Sequence, residues 1–528
     1  MDLARINVAH GEPKLWLAMI ENVRRAAQAA GRDIRIAIDL AGPKLRTGPI
    51  APGPQVGRAR VTRTQAGEVT QPARVWLYPR EGQRPGQDSA EPRGSRLAAP
   101  EFPDGRPVLA IAVDADWLGG LHPGEQVRVN DARGSKRKLT VVEVRTQPDG
   151  APGTDGPGAE RGVDKQDAEN DAAAISAPVC GALCEARQNV YVAEGSLLEH
   201  NWVKVRAHGI APTEQRLRLR EGDRLWLSES PEPAAWPTAP GEIPQLGCTL
   251  PEAVRAITVG DRVLFDGGVI AARVIARDDG TQDGAQAESA SPVRVLLEVT
   301  RTKVGGANLA AFKGINLPDT ELPVTSLTPE DRETLEFAAR HADIANVSFI
   351  RNPSDVDNVL AALRGIAERA LAAGDEAAAR RAHGLGVVLK IETIPAYEAL
   401  PEIMLAGMQH QNFGLMIARG DLAVELGFER MAEVPGLILA AAEAAHVPTI
   451  MATQVLESLA KDGLPTRAEI TDAAFALRAE AVMLNKGPHI PTAIELLTRM
   501  SQKLGRSQRK NRMLMRKINS WVPASGEN

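Results

Sequence analysis

Two short stretches of the sequence place charged side chains where a buried strand ends. "IDLAGPKLRTG" carries Asp39, Lys44 and Arg46 just beyond an apolar run. "VVLKIET" places Lys390 and Glu392 two residues apart, so the period of a strand directs both toward one side. Burying an ammonium and a carboxylate together costs desolvation free energy, so their presence in a buried strand suggests a functional role. These residues therefore predict a charged cavity, and the alternative is a buried ion pair that closes the fold.

A third stretch, "IARGDLAVELG", sets a Gly-Asp pair at a strand-to-helix turn. Backbone N–H groups at such a turn can receive an anion. Its carboxylate, Asp421, can join Glu392 in holding Mg²⁺ or Mn²⁺, with waters and substrate oxygens completing the shell. The alternative is that Asp421 only caps the helix. Arg5, Arg46 and Lys313 add positive charge, which would suit a small and strongly anionic substrate such as a phosphorylated acid.

Composition narrows the class of protein. The net charge is −5, without the clustered basic face that nucleic-acid binding requires. Three cysteines are too few for a disulfide framework. No apolar run reaches the length of a membrane helix, and the first residues lack a signal-peptide layout. We therefore expect a cytoplasmic protein with neither nucleic-acid nor membrane partners, and whether it forms a homo-oligomer stays open.

The elements that position these residues repeat along the chain. Short apolar strands alternate with helices of period 3.6 from residue 343 onward, and two more such units open the sequence. The seven units predict an α/β fold, a (β/α)8 TIM-type barrel that lacks its first strand. We divide the chain into the barrel's first part (1–47), an inserted β region (48–311), the barrel's second part (312–508) and a basic tail (509–528).

The inserted region has its own character. Helical periodicity disappears and short alternating strands appear among low-complexity loops. Three copies of a Gly-acid turn enter alternating strands, "PGEQVRV" (123–129), "EGDRLWL" (221–227) and "VGDRVLF" (259–265). This pattern is typical of small β-barrels and predicts an inserted β-barrel-like domain.

Nine motifs, in order, resemble the pyruvate kinase family. They are "ARINVAHGE", "IDLAGPKLRTG", "FDGGVI", "FKGINLP", "VSFIRNPSDV", "LKIET", "MIARGDLAVELG", "IMATQVLES" and "PTRAEITD". The resemblance implies transfer of a phosphoryl group between phosphoenolpyruvate and ADP, giving pyruvate and ATP. It also implies that the inserted region is a lid over the nucleotide, and that the family's C-terminal regulatory domain is missing.

The resemblance assigns a role to each matching position. It implies that Glu392 and Asp421 hold the divalent ion and that Lys390 stabilises the phosphoryl group and the enolate oxygen. Thr453 would lie where the enolate carbon is protonated. The remaining assignments are the substrate carboxylate on backbone groups of Ala418, Arg419, Gly420 and Asp421, the phosphoryl oxygens on Arg5 and Arg46, and the nucleotide on Lys313, Arg46 and His10.

The same resemblance gives Lys44 a purpose. Most members bind K⁺ through an Asn, a Ser, an Asp and a Thr, with a Glu nearby. Here Asn7 and Asp39 are kept, whereas the Ser, Thr and Glu positions hold Ala9, Leu40 and Lys44. We expect the Lys44 ammonium, partnered by Asp39, to replace the ion, so that K⁺ is not required; the alternative is a decayed site.

Two departures leave other functions open. The family's "SGET" motif reads "NKGP" here (485–488), and we expect the first barrel strand to be missing from the given sequence. The alternatives are a lyase or aldolase that forms a pyruvate enolate on a related metal barrel, and a catalytically impaired relative that still binds ligand. Lys313 and the lid favour the kinase, because an enolate lyase needs no nucleotide clamp.

Overall fold

The computed structural model describes residues 1–8, 11–80, 105–146, 179–235, 237, 239, 241–280 and 291–504. The chain divides into two compact units, one formed by Met1–Ala51 with Arg216–Asn528 and the other by Pro52–Gln215. Among the described residues, no helix has the length and apolar character needed to cross a membrane. The predicted basic tail (509–528) lies outside the described residues.

The first unit contains a parallel sheet that matches the predicted β/α repeats. Within the described residues its seven strands pair in chain order, and the two end strands each pair on one side only. The strands are β1 (Leu3–Asn7), β2 (Arg35–Asp39), β3 (Ile344–Val347), β4 (Gly386–Ile391), β5 (Phe413–Ala418), β6 (Thr449–Val455) and β7 (Ala481–Leu484). The predicted α/β class and TIM-type barrel are confirmed.

Helices cover this sheet. Several begin at a proline in the first turn, and Thr328, Asn352 and Thr466 accept capping hydrogen bonds from backbone N–H groups. The helices are α1 (Pro13–Ala29), α2 (Pro329–His341), α3 (Pro353–Ala372), α4 (Glu376–Gly384), α5 (Ile394–Glu398), α6 (Leu400–Gly407), α7 (Arg419–Leu426), α8 (Val434–Ala444), α9 (Glu457–Asp462), α10 (Arg467–Ala476) and α11 (Ile490–Leu504). A 3₁₀ turn, Phe428–Ala432, follows α7.

The barrel interior is apolar below its charged end. Val388, Met416 and Ala452 form a small buried cluster against the partly buried Met483. The Arg5 guanidinium on β1 contacts the sulfur of Met483 on β7, so the sheet curls until its two end strands approach each other. Lys390 follows Val388 by one strand period, which places it directly above this apolar layer.

A second β structure belongs to the same unit. Its six-stranded sheet and a two-stranded ribbon share one hydrophobic core. The strands are Leu217–Leu219, Arg224–Ser228, Gln245–Gly247, Arg262–Phe265, Ile270–Asp278, Arg294–Arg301, Ala307–Leu309 and Ile315–Asn316, with a short helix, Pro251–Ala256. Arg46 forms a β-bridge with Gly314, and Thr47 with Cys248, so the residues after Lys44 run along this sheet.

The second unit is an independent β structure with its own core. Its strands are Val56–Ala59, Thr62–Arg63, Val69–Gln71, Ala73–Pro79, Leu109–Val113, Gln126–Asn130, Lys136–Thr146, Val179–Ala186, Val190–Ala193, Leu197–His200 and Val203–Arg206, with a helix, Ala115–Gly119. The predicted insertion (48–311) therefore contains this unit and part of the first. Its assignment as a lid stays a prediction.

The repeated Gly-acid turn has a physical basis. Gly124, Gly222 and Gly260 adopt φ values of 91°, 85° and 101°, in the region that favours glycine. Each turn leads into a strand of a β structure, two in the first unit and one in the second. The repeat is therefore one type of local turn that occurs in both units.

Candidate active site

The predicted site residues gather at the carboxyl ends of the barrel strands. Asn7 and Asp39 are the last residues of β1 and β2 and lie opposite each other in the ladder. Lys390 is the last residue but one of β4, Ala418 ends β5, and Thr453 lies near the end of β6. The strand alternation predicted from sequence therefore places these residues around one end of the barrel.

Asp39 is the centre of a buried charged network. Its carboxylate accepts a 2.7 Å hydrogen bond from the Asn346 side-chain amide and lies 3.1 Å from Lys390 Nζ. Arg5 Nε lies 3.5 Å from the same carboxylate. Lys390 also donates a 2.9 Å hydrogen bond to Ser348 Oγ. Two cations share one carboxylate, so this network keeps a net positive charge beside the site.

Glu392 is a buried carboxylate with little hydrogen bonding. It is 3% exposed, and one oxygen accepts a 2.7 Å hydrogen bond from the backbone N–H of Phe349. Burial, helped by the charges of Asp421 and Asp39, raises the pKa of Glu392 to about 7, although Lys390 opposes this shift. The side chain is therefore costly to keep ionised without a further cation.

Asp421 lies in the first turn of α7, where the charges of two cations, Lys390 and Lys44, affect it. Burial raises the pKa of its carboxyl group, and the charges of Lys390 and Lys44 act in the opposite direction. Glu425 follows four residues later and is 7% exposed, and its carboxylate accepts a 3.0 Å hydrogen bond from Ile394 N–H. The turn after β5 thus brings one partly buried acid, Asp421, and one buried acid, Glu425, to the site.

Lys44 reaches toward the acids but not toward its predicted partner. Burial lowers the pKa of Lys44, as do Lys390 and Arg46, whereas Glu392 and Asp421 act to raise it. Within the described residues Lys44 forms no ion pair, and Asp39 is already paired with Lys390. The predicted pairing of Lys44 with Asp39 is wrong, because Lys390 occupies that carboxylate.

A cavity of about 290 Å³ opens beside these groups. Lys44, Arg46, Asp421 and Glu425 line it together with residues of the second β structure, among them Asn316. Charge of both signs faces one space of small-molecule size. The cavity lies wholly within the first unit.

Lys313 directly precedes Gly314, which lines this cavity. Its Nζ is 3.0 Å from Asp266 Oδ1, and its backbone N–H donates a 2.8 Å hydrogen bond to Thr47 Oγ1. Arg46 donates a 3.1 Å hydrogen bond to the carbonyl of Phe312. The segments that carry Arg46 and Lys313 therefore run side by side, and the assignment of both residues to phosphate groups stays a prediction.

Two positions assigned from the sequence, Ala9 and His10, lie outside the described residues. Four residues that contribute to the site were missed: Asn346, Phe349, Glu425 and Asp472. Their partners lie 307, 43, 31 and 53 residues away in the chain. Only Glu425 left a signal, since it follows Asp421 at the spacing that shares a helix face.

The donor set fits a divalent ion of the Mg²⁺ class. Burial acts to raise the pKa of both Glu392 and Asp421, the charge of Asp421 raises that of Glu392 further, and Lys390 acts to lower both. Within the described residues no group of three or more His, Cys, Asp or Glu side chains is arranged around one metal position. A two-carboxylate site leaves positions for water and substrate oxygens, which is how Mg²⁺ is commonly held.

Comparisons with known proteins agree with this geometry. The family description "Pyruvate kinase, barrel domain" matches residues 181–488, more than half of the chain. A pyruvate kinase of Thermotoga maritima is 32% identical over 263 residues, 48% of this chain and 47% of its own length. One from Methylorubrum extorquens is 33% identical over 270 residues, 51% of this chain and 47% of its own length. The chain thus matches about half the length of these relatives.

A solved structure shows a similar fold. A pyruvate kinase from Cryptosporidium parvum matches with a TM-score of 0.53 at 16% identity, covering 96% of this chain and 64% of that one. At that identity the match concerns the fold alone. The family match includes β4, β5 and β6 with Lys390, Glu392, Asp421 and Thr453. The chain belongs to the pyruvate kinase family.

Proposed function

We propose that this protein transfers the phosphoryl group of phosphoenolpyruvate to ADP. The observation that carries the proposal is a pair of carboxylates, the buried Glu392 and the partly buried Asp421, beside the cations Lys44, Lys390 and Arg46. The P–O bond to the enol oxygen breaks and a β-phosphate oxygen of ADP forms the new bond. The resulting enolate takes up one proton at its terminal carbon and becomes pyruvate.

The charged residues bind and orient the reacting groups. Glu392 and Asp421 would hold Mg²⁺ or Mn²⁺, which supplies positive charge for the phosphoryl oxygens when bound. Lys390, fixed by Asp39 and Ser348, stabilises charge on the phosphoryl group and on the enolate oxygen. Phosphoryl transfer depends mainly on such positioning and on electrostatic stabilisation.

The turn after β5 receives the substrate carboxylate. Helix α7 begins at Arg419 directly after Ala418, so the backbone N–H groups of Arg419, Gly420 and Asp421 are at a helix N-terminus. Such groups favour an anion. Thr453, whose side chain lies beside Gly420, would pass a proton from water to the enolate carbon.

The nucleotide and the phosphoryl oxygens engage the outer cations. Arg46 and Lys313 lie on neighbouring segments joined by a β-bridge at Gly314. Asp266 now accepts the Lys313 ammonium, so nucleotide phosphates would have to share or replace this ion pair. Arg5 contributes from β1, and His10 completes the proposed nucleotide set.

Lys44 makes K⁺ unnecessary in this proposal. Its ammonium lies close enough to Glu392 and Asp421 for both to affect its pKa, so a fixed positive charge is already present there. Asn7 and Asp39 remain from the position where other members bind the ion, but Asp39 is engaged by Lys390 and Arg5.

A coupled assay for pyruvate tests the function. Pyruvate should form from phosphoenolpyruvate only when ADP and Mg²⁺ are both present, and ATP should accumulate in equal amount. Pyruvate release without ADP would indicate a lyase or phosphatase and would contradict the proposal. Absence of turnover together with measurable binding of phosphoenolpyruvate would indicate an impaired relative.

A further inference from the structure

The end of β6 contains an unusual run of backbone conformations. Thr453, Gln454 and Leu456 have φ values of 64°, 57° and 50°. None is glycine, and Thr453 is β-branched, for which a positive φ is a genuine outlier. The ladder between β6 and β7 is irregular here, with its register shifting between Met451 and Val455. Such conformations are unfavourable for residues other than glycine and persist only where the surroundings enforce them.

The Arg419 side chain supplies that enforcement. Its Nε donates a 3.1 Å hydrogen bond to the carbonyl of Ala452, and its Nη2 donates a 2.7 Å hydrogen bond to the carbonyl of Thr453. The regular pairing of β5 with β6 ends at Ala418 and Ala452. Arg419 therefore binds the carbonyls on both sides of the point where β6 leaves the sheet.

Asp472 on α10 fixes the direction of this guanidinium. Its Oδ2 accepts a 3.0 Å hydrogen bond from Arg419 Nη2, and its Oδ1 accepts a second one from Nη1. The Arg419 side chain is 14% exposed and that of Asp472 is 33% exposed. A two-point contact of this kind restricts the planar guanidinium to one orientation.

The backbone that Arg419 holds carries Thr453 toward the turn after β5. A Cβ atom built on Gly420 would lie 3.6 Å from Thr453 Oγ1 and 3.5 Å from its Cγ2. The threonine side chain thus packs against the residue that precedes Asp421. A normal extended conformation at Thr453 would turn the side chain to the other face of the strand.

We propose that Asp472 is a positioning residue for Thr453. By orienting Arg419, Asp472 keeps the Thr453–Gln454 backbone left-handed and so keeps the Thr453 hydroxyl over Gly420. The catalytic consequence rests on the proposed function, in which Thr453 passes the proton to the enolate carbon. The structural part, a coupling between Asp472 and the strained backbone, does not depend on any activity.

The kinetic test uses Asp472→Asn. This change keeps the size of the side chain but weakens the charge-assisted contact with Arg419. Proton transfer by a positioned group is worth about 10²–10⁴-fold, so a misplaced hydroxyl should lower kcat roughly tenfold. KM for phosphoenolpyruvate should change less, and proton exchange at the methyl group of pyruvate, followed by NMR in D2O, should slow in parallel. Glu336→Gln, which breaks a surface ion pair on α2, is the matched control and should leave both rates unchanged.

Relief of backbone strain supplies the second test. Gln454 is exposed and left-handed, so Gln454→Gly should make that conformation easier without removing a packed group. If Asp472 acts through the backbone, Gln454→Gly should restore much of the kcat lost in Asp472→Asn. An unchanged kcat in Asp472→Asn, or a loss that Gln454→Gly does not restore, would overturn the proposal.

The same pair of variants can also be tested by a stability measurement that does not depend on enzyme activity. In a double-mutant cycle on urea unfolding, Asp472→Asn should destabilise the chain less in the Gln454→Gly background than in the wild type. Coupling in this cycle with no turnover in the wild type would mean that the proposed function is wrong while the backbone role of Asp472 stands. Additive effects on unfolding would contradict that role even in an active enzyme.

Discussion

Two buried carboxylates, one in each unit, have opposite pKa shifts. Asp131 in the second unit is 4% exposed and Glu392 in the barrel is 3% exposed. Burial acts to raise the pKa of Asp131, but hydrogen bonds from Ser135 N–H, Arg133 and Arg137 outweigh it and lower the pKa to about 2. Glu392 has one backbone donor, and burial raises its pKa to about 7.

The opposite pKa shifts distinguish a carboxylate with a structural role from one suited to binding a ligand. Asp131 has its charge matched by groups of its own turn, so nothing further is needed to keep it ionised. Glu392 shares its surroundings with a second acid, Asp421, and its nearest cation, Lys390, is engaged by Asp39. We infer that the barrel site tolerates these incompletely neutralised charges because a divalent cation and an anionic substrate neutralise them on binding.

The largest effect is expected for Glu392→Gln. The amide keeps the shape and can still accept from Phe349 N–H, but it removes the negative charge that the ion requires. We expect kcat to fall roughly 10²–10³-fold, as when one group that stabilises a transition state is removed. The free energy of unfolding without metal should be unchanged or larger, because a buried charge has been removed. Full activity in this variant, measured by pyruvate formation, would remove Glu392 from the site.

The next effect concerns stability rather than catalysis. Asp131→Asn leaves Arg133 and Arg137 without their shared carboxylate, and we expect the second unit to lose about 2 kcal/mol of stability. Hydrogen exchange should show the loss within Pro52–Gln215. A variant as stable as the wild type would mean that the hydrogen bonds to Asp131 do not stabilise this unit.

The pH dependence of that loss has a definite sign. The pKa of Asp131 is lowered from its ordinary value of 3.8 to about 2, so its stabilising effect is complete above 3.8 and declines as the pH falls toward 2. The difference in stability between wild type and Asp131→Asn should therefore shrink between those two pH values. A difference that stays constant across this range in urea unfolding would show that the Asp131 pKa is not lowered.

The sequence predicted the positions of those site residues whose placement depends on local periodicity. The alternation of β4 put Lys390 and Glu392 on one side, and the helix start put Asp421 beside them. It missed groups that arrive from distant segments, such as Asn346 on Asp39, because no local pattern encodes that contact. It also missed Phe349, which follows β3 with a left-handed φ of 55° and donates its N–H to Glu392.

The partner of Lys44 was mistaken for a related reason. Asp39 is close to Lys44 in sequence, but the parallel sheet places Lys390 next to Asp39 from two strands away. When several cations are near one carboxylate, a residue on a nearby strand of the sheet can be closer to it than a residue close in sequence. Glu392 and Asp421 act to raise the pKa of Lys44, and the replacement of K⁺ by its ammonium stays a prediction.

A smaller effect is expected for Lys44→Glu. A third negative charge near Glu392 and Asp421 should repel the substrate and lower kcat/KM roughly tenfold in buffer free of K⁺, about 1.4 kcal/mol. Added K⁺ should restore only part of the loss, because Ala9 and Leu40 supply no side-chain oxygens. The wild type should be equally active in K⁺ and in tetramethylammonium at equal ionic strength. A wild type that is inactive until K⁺ is added would contradict the role given to Lys44.

Binding of Mn²⁺ without substrate tests the central claim most directly. Calorimetric titration of the wild type should show one site, and occupancy of that site should raise the midpoint of thermal unfolding, since a ligand of the folded state stabilises it. Glu392→Gln should lose both the binding and the rise in midpoint, whereas Asp131→Asn should keep both. Equal binding of Mn²⁺ by wild type and Glu392→Gln would contradict the account.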